Sequence, residues 1–284
     1  MFSDVDVLEF TIKKLKEGKK VALLSIIEKH GSAPRGVGAK MALAEDGEKV
    51  GTIGGGVMER EIVLKAFDVI KNGKPAILTL SLGVKAQNAE NVIELGSLCG
   101  GVVKVYVDIF HPQPRALVIG LGHVGKTIAN LLKYLGYYVI GIDTDSKNIA
   151  SIDFIDMKIF GNINEVLEKT REVIQVNDIA VVTQGEIEVE YAFVKELVPK
   201  VKYVFLLGSR RKAIEFVKRL TKDGLSKDLI NERFRCPMGL DIGAETPEEI
   251  AVSLAAELIL LRKDPSKLST KPLNIVPEVN IIEQ

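Results

Sequence analysis

Apolar positions in the first 110 residues follow helical spacing in some segments and extended spacing in others. Helical spacing predicts two helices, one over residues 4–18 and one that begins near Val57. Extended runs predict strands near 20–28, 75–81 and 101–109. The sequence LAEDGEKVGTI predicts a hairpin that turns at Asp46-Gly47. Together these elements indicate a small α+β domain over residues 1–110.

From residue 115 onward, extended and helical segments alternate strictly. Continuous apolar runs lie at 116–120, 138–142, 179–183 and 203–208. Such runs are typical of strands buried on both faces of a parallel sheet. A final helix is predicted in TPEEIAVSLAAELIL, where Thr246 is the N-cap, Pro247 the first helical residue and Glu249 the partner in a capping box. The pattern predicts a Rossmann-like domain over residues 115–262.

The stretch HPQP at 111–114 separates the two predicted domains. Its prolines fix φ and remove backbone donors, so neither a helix nor a strand is expected to continue through it. Residues 263–284, rich in Lys, Ser and Pro, are predicted to be a C-terminal extension. The predicted fold class is α/β, with a small α+β N-terminal domain followed by a Rossmann-like parallel-sheet domain.

Composition narrows the functional classes. No uninterrupted apolar stretch reaches the roughly 18 residues of a membrane span, and the first residues lack the order of a secretory signal. We therefore expect a soluble, cytoplasmic protein without a membrane partner. The 38 basic and 38 acidic residues are interspersed, which indicates no nucleic-acid-binding surface. Three scattered histidines and two distant cysteines predict neither a built-in metal nor a disulfide framework.

A glycine pattern, GLGHVG, follows the first predicted strand of the second domain. Gly120 would allow a tight turn, Gly122 would let the backbone approach a pyrophosphate, and Gly125 would allow close helix packing. Asp143 ends the next strand, where a carboxylate accepts a hydrogen bond from a ribose 2′-OH and repels a 2′-phosphate. The pattern predicts NAD in preference to NADP. The alternative is that the glycines serve helix–sheet packing alone.

Three successive glycines precede the second predicted helix: Gly54, Gly55 and Gly56. They would place backbone amides at the positive end of the helix, which suits an anion such as phosphate, although a tight chain reversal is the alternative. Upstream, HGSAPRGVGAK supplies Ser32 and Arg35, a hydroxyl and a guanidinium that could grip a phosphate or a planar heterocycle. Glu59 could accept N–H groups from such a heterocycle or favour the helix dipole.

The two cysteines have different surroundings. Cys99 lies in LCGG, where the flanking glycines indicate an exposed thiol, with a small buried side chain as the alternative. Cys236 lies in RCPMGLD and is interpreted as a buried structural residue.

Six motifs, in this order, resemble those of the XdhC/CoxI family: GSAPRGVGAKM, VGTIGGGVMER, LCGG, GLGHVG, LLGSRRK and PMGLDIGAETPEEIAVSLAAELI. The resemblance covers nearly the whole chain up to about residue 262. Members of this family accompany molybdenum hydroxylases such as xanthine dehydrogenase and carbon monoxide dehydrogenase. The resemblance implies a chaperone that binds molybdenum cofactor, promotes its sulfuration with a cysteine desulfurase, and delivers it to the hydroxylase apoenzyme.

The resemblance also implies roles for individual residues. Ser32, Arg35, the glycine triplet and Glu59 would belong to an N-terminal cofactor site, and Cys99 would contact sulfur or molybdenum. Two departures bear on this picture. Members often read GGGC where this chain has Gly56-Val57, and Thr-His where it has Thr183-Gln184. Cys99 is therefore the one thiol that falls in a family motif.

Two other functions stay open at this point. The glycine pattern and Asp143 permit an NAD-dependent oxidoreductase, although fold does not decide function. They also permit a nucleotide-sensing regulatory module whose assembly changes on ligand binding. A homodimer is expected in any of these cases.

Overall fold

The structure, a computed structural model, describes residues 2–83, 92–95, 100–263 and 277–278. The chain divides into two compact units, Met1–Gln113 and Pro114–Gln284. Within the described residues, none of the helices has the length and apolar character needed to cross a lipid bilayer.

The first unit is a six-stranded sheet with a helix on each face. Its strands are β1 (Val21–His30), β2 (Lys40–Ala44), β3 (Lys49–Gly51), β4 (Ala76–Leu82), β5 (Val92–Leu95) and β6 (Gly101–Phe110). Their order is β3-β2-β1-β6-β4-β5, antiparallel except for the parallel pair β4–β5. Along β1, Ala22 and Leu24 pack with α2 (Gly56–Asn72), whereas Val21 and Leu23 pack with α1 (Asp4–Lys16).

The predicted helices and hairpin of the first unit are confirmed, with ends shifted by one or two residues. Helix α1 begins after a capping box formed by Ser3 and Asp6 and ends at Lys16. The hairpin turns where predicted, and Gly73 ends α2 in the left-handed conformation with φ 65°. The sequence pattern does not predict β5, because its four residues are too few to show an alternation.

The second unit is a parallel sheet covered on both faces. Its strands are β7 (Arg115–Ile119), β8 (Tyr138–Asp143), β9 (Met157–Phe160), β10 (Ile179–Val182), β11 (Tyr203–Leu206) and β12 (Phe234–Arg235). The order is β12-β11-β10-β7-β8-β9, and every pair is parallel. Counted from β7, this is the order 3-2-1-4-5-6 of Rossmann dinucleotide-binding domains. The predicted fold class is confirmed, and β9 and β12 are additional short edge strands.

Seven helices of the described residues pack against this sheet: α3 (His123–Tyr134), α4 (Ser146–Ala150), α5 (Ile163–Val173), α6 (Ile187–Leu197), α7 (Arg210–Lys222), α8 (Lys227–Arg233) and α9 (Pro247–Lys263). Leu117 and Ile119 face one apolar core, and Ala116 and Val118 face the other.

The capping box of α9 is confirmed, because the Glu249 amide donates to Thr246 Oγ1 at 3.2 Å and the Thr246 amide donates to Glu249 Oε2 at 3.0 Å.

Candidate functional site

The glycine turn after β7 lies at the switch point of the second sheet, between β7 and β10. A Cβ at Gly125 would lie 1.8 Å from the carbonyl oxygen of Gly120, so helix α3 packs directly on the turn. A Cβ at Gly120 would lie 2.5 Å from Gln184 Cα. At Gly122, by contrast, no atom of the described residues lies within 4 Å of the Cβ position, apart from the adjoining backbone. Two glycines thus serve packing, and Gly122 leaves space at the helix N-terminus.

Asp143 is buried at the end of β8, where it holds the glycine turn in place. Its carboxylate accepts from the Leu121 amide at 2.6 Å, the Asp145 amide at 2.8 Å and Asn148 Nδ2 at 3.3 Å. These bonds fix the loop on which a dinucleotide would rest. Contact of Asp143 with a ribose 2′-OH stays a prediction.

The residues after β10 complete the crevice. Thr183 Oγ1 donates to the Gly120 carbonyl at 2.7 Å, and Gln184 Nε2 donates to Thr144 Oγ1 at 2.9 Å. Gln184 Oε1 is buried, and it accepts no hydrogen bond from any residue that the structure describes. Gln184, which stands where members of the resembled family often have histidine, is therefore a buried acceptor next to the glycine turn, close to Gly120.

In the first unit, the carboxylate of Glu59 turns back to the glycine triplet. It accepts from the Gly55 amide at 3.2 Å and also from Thr52 Oγ1 and Lys49 Nζ. Gly55 is the N-cap of α2 with φ 70° and ψ −179°, a conformation that non-glycine residues avoid. Of the two roles open to Glu59, the structure shows interaction with the helix terminus.

Burial alone would raise the pKa of Glu59, but the Lys49 ammonium, the Thr52 hydroxyl and the Gly55 amide together hold it below its ordinary value. The carboxylate is therefore ionised near neutral pH and occupies part of the positive helix end. Lys49 and Thr52 were not singled out from the sequence. Thr52 lies two residues before the triplet, and its hydroxyl in the motif VGTIGGGVMER is the sequence signal that could have identified it.

The loop over residues 31–38 meets both the triplet and the start of β6. A Cβ at Gly54 would lie 3.7 Å from Pro34 Cβ. A Cβ at Gly101 would lie 2.3 Å from the carbonyl oxygen of Ser32, and one at Gly31 would lie 2.9 Å from that of Gly100. Three of the quoted motifs, GSAPRG, GGG and the glycines of LCGG, therefore lie together in the fold.

Arg35 lines a cleft of about 400 Å³ in this region, together with Lys40, Gly51, Thr52 and the N-terminal turn of α1. Lys40 Nζ donates to the Gly38 carbonyl at 2.9 Å and lies 3.4 Å from Asp4. Arg35 is half-buried and makes no hydrogen bond or ion pair with the part of the chain that the structure describes. The cleft therefore offers a guanidinium to an anion.

Of the two cysteines, Cys236 lies in the part of the chain that the structure describes. Cys236 is fully buried, as predicted, and burial raises the pKa of its thiol to about 12. Cys99 lies outside the described residues, next to Gly100. Within the described ranges, no group of three His, Cys, Asp or Glu side chains is arranged to hold a metal ion.

The most extended motif, PMGLDIGAETPEEIAVSLAAELI, joins β12 to α9 through buried polar contacts. Gly239 donates its amide to Glu257 Oε2 at 2.7 Å, and Ser253 Oγ donates to the Leu240 carbonyl at 2.7 Å. Arg235 pairs with Glu257 at 3.3 Å. These contacts give the motif a structural role.

Comparison with known proteins identifies two family models along the chain. A model described as the XdhC and CoxI family matches residues 15–81, and a model described as the XdhC Rossmann domain matches residues 116–258. The two matches fall in the two compact units.

Three curated relatives match parts of the sequence. The chain is 31% identical over 258 residues to the uncharacterized protein YqeB of Escherichia coli (strain K12), covering 88% of this chain and 45% of YqeB. It is 32% identical over 162 residues to a probable xanthine dehydrogenase subunit of Bacillus subtilis (strain 168), covering 56% of this chain and 46% of that protein. It is 32% identical over 68 residues to the E. coli molybdenum cofactor insertion chaperone PaoD, covering 24% of this chain and 21% of PaoD. The chain spans less than half the length of each relative.

Proposed function

The chain belongs to the XdhC and CoxI family, and on this premise we propose that it binds molybdenum cofactor as cargo and assists its insertion into a molybdenum hydroxylase. The names of two relatives, a molybdenum cofactor insertion chaperone and a probable xanthine dehydrogenase subunit, support this role. In this chain, the main support for the proposal is that the motifs GSAPRG and GGG and the glycines of LCGG lie together around residues 31–38. The cleft that Arg35 lines is in the same region.

The chemistry of the cleft suits the anionic end of the cargo. Arg35 and Lys40 are cations that would hold a phosphate, Arg35 through its planar pair of N–H donors. Ser32 is exposed on the same loop and would add a hydroxyl. Glu59 already accepts from the Gly55 amide, so the glycine triplet shapes the loop and Arg35 supplies the charge.

Cys99 would act at the other end of the cargo, where a thiolate contacts sulfur or molybdenum. Gly100 and Gly101, the two residues that follow it, lie against Gly31 and Ser32. A cysteine desulfurase would be the partner that supplies sulfur for cofactor sulfuration. This step rests on the resemblance and on the position of Gly100 and Gly101.

We expect Cys99→Ala to retain cofactor binding but to lose insertion of an active cofactor into a hydroxylase apoenzyme. The measurement incubates the purified protein with cofactor released anaerobically from a molybdenum hydroxylase, then assays bound pterin and apoenzyme activity. Cys236→Ala is the matched control, because the chain has only these two cysteines. Full insertion by Cys99→Ala would show that Cys99 has no role in transfer, and absence of pterin binding by the wild type would reject the chaperone function.

We also propose that the second unit binds NAD(H) or another adenine nucleotide. The Rossmann strand order and the open position at Gly122 favour this second function. Turnover of a nicotinamide cofactor would favour an oxidoreductase, whereas a change in assembly without turnover would favour a sensor. The bonds that Asp143 makes to the turn mean that its removal would disturb the loop itself, so Gly122 gives the sharper test.

Gly122→Ala is expected to weaken NAD binding at least tenfold while leaving the free energy of unfolding within about 0.5 kcal/mol of the wild type. Apart from the adjoining backbone, the added methyl group meets no atom within 4 Å in the part of the chain that the structure describes, and φ −64° with ψ −168° is accessible to alanine. The methyl group would therefore occupy space that a pyrophosphate needs. Calorimetric titration with NAD and with AMP tests this, and equal affinities of variant and wild type would place the ligand elsewhere.

A further inference from the structure

Helix α1 turns an apolar stripe away from its own sheet. Val5, Leu8 and Ile12 are 60%, 51% and 53% exposed, and their spacing of three and four residues puts them on one side of the helix. The opposite, buried side includes Lys14, which lies 3.0 Å from Asp46 and 2.6 Å from Glu48. A helix with a lysine inside and three large aliphatic side chains outside is suited to a further partner on its outer face.

A second stripe, directly beside the first, is charged and asymmetric along the helix. It consists of four exposed residues: Asp6, Glu9, Lys13 and Lys16. The acids lie in the N-terminal half and the lysines in the C-terminal half. In an antiparallel pair of identical helices, the charged stripe of one helix lies beside the charged stripe of the other. The two helices run in opposite directions, so the N-terminal half of one stripe lies beside the C-terminal half of the other. The acids of one helix then face the lysines of the other.

We propose that α1 forms an antiparallel contact with α1 of a second copy of this chain. Placing Leu8 of one copy opposite Ile12 of the other buries both apolar stripes and brings Asp6 and Glu9 opposite Lys13 and Lys16. The contact is isologous, as in most homodimers. A second copy fits because this one helix supplies both the apolar surface and the complementary charges.

The contact is linked to the cleft of the first unit. The cleft that contains Arg35 is also lined by residues at the start of α1, namely Phe2, Asp4 and Val7. In the antiparallel pair, the lysines at the C-terminal end of the second copy's helix lie next to this end of α1. The dimer therefore brings α1 of the second copy next to residues that line the cleft.

The size of the contact sets its strength. Helix α1 has 13 residues and is about 20 Å long at 1.5 Å per residue. One such helix pair covers less than the roughly 1,200–2,000 Å² of a standard stable interface. Association is therefore expected to be reversible and to depend on protein concentration.

Sedimentation velocity of the full chain over a concentration series tests the proposal. We expect reversible dimers for the wild type and monomers at every concentration for Leu8→Glu. Leu64→Glu is the matched control, since Leu64 is a similarly exposed leucine, 54% exposed, on α2. It should dimerise like the wild type. A wild type that stays monomeric, or a Leu64→Glu variant that dissociates like Leu8→Glu, would overturn the proposal.

Charge reversal separates the helix pair from other arrangements. Lys13→Glu alone and Glu9→Lys alone should each weaken self-association at least tenfold, whereas an equimolar mixture of the two variants should associate more tightly than either one. If the mixture is no tighter, the antiparallel pairing is wrong. Thermal unfolding confirms that each variant is folded, and pterin binding, measured separately, reports on the chaperone function independently of dimerisation.

Discussion

Gly101→Ala is expected to lower the free energy of unfolding of the first unit by about 3 kcal/mol and to abolish binding of the molybdenum cofactor. The added Cβ would lie 2.3 Å from the Ser32 carbonyl oxygen and 2.9 Å from the His30 carbonyl oxygen. Both are backbone atoms, so no side-chain rotation relieves the contact. The loop over 31–38 must move away from β6, and Ser32 and Arg35 must move with it.

Gly36→Ala is the matched control in the same loop. Among the residues with described positions, and apart from its chain neighbours, no atom lies within 4 Å of its Cβ position, and Gly36 does not have a left-handed φ. We expect it to retain stability and cofactor binding. Urea unfolding and the pterin assay together distinguish the outcomes. A Gly101→Ala protein that binds cofactor as the wild type does would show that the approach of Ser32 to β6 has no part in the site.

The sequence predicts those parts of the fold that local patterns determine. The hairpin at Asp46-Gly47 depends on a few adjacent residues and turns as predicted, and the glycine C-cap at Gly73 is equally local. The strands β5 and β12 have four and two residues, too few for a periodic signal, and their pairing depends on contacts distant in sequence. The alternating pattern of strands and helices predicts that the second sheet is parallel. It does not predict the order of the strands in that sheet.

The candidate site shows the same division. The sequence identifies the glycines, because the absence of a side chain is a property of the residue type itself. It does not show that Glu59 is satisfied by Lys49 and Thr52, or that Asp143 accepts from the Leu121 amide. These contacts decide whether a carboxylate faces a ligand or supports a loop. Contacts that the sequence does not reveal therefore change the interpretation of Glu59 and Asp143, although each was identified from its place in a motif.

Glu257 in α9 is joined to β12 and to the segment that follows it. Its carboxylate is fully buried, accepts from the Gly239 amide, and pairs with Arg235. We expect Glu257→Ala to lower the free energy of unfolding by about 3 kcal/mol at pH 8, because the partly buried Arg235 guanidinium and the Gly239 amide lose their shared acceptor. Glu257→Gln is the control, since its amide oxygen can still accept from Gly239.

Stability should also depend on pH through this residue. Burial raises the pKa of Glu257 from an ordinary value of 4.5 to about 7, against the opposing effect of Arg235. Between these values the folded protein holds a proton that the unfolded chain has released, so the contribution of Glu257 to stability falls as pH rises from about 4.5 to about 7. The expected loss is on the order of 3 kcal/mol.

Glu257→Gln has no proton to release, so the difference in unfolding free energy between wild type and variant should change across this window and level off above it. Urea unfolding of both proteins at pH values spanning the window measures the difference, and a constant difference would show that Glu257 is ionised throughout.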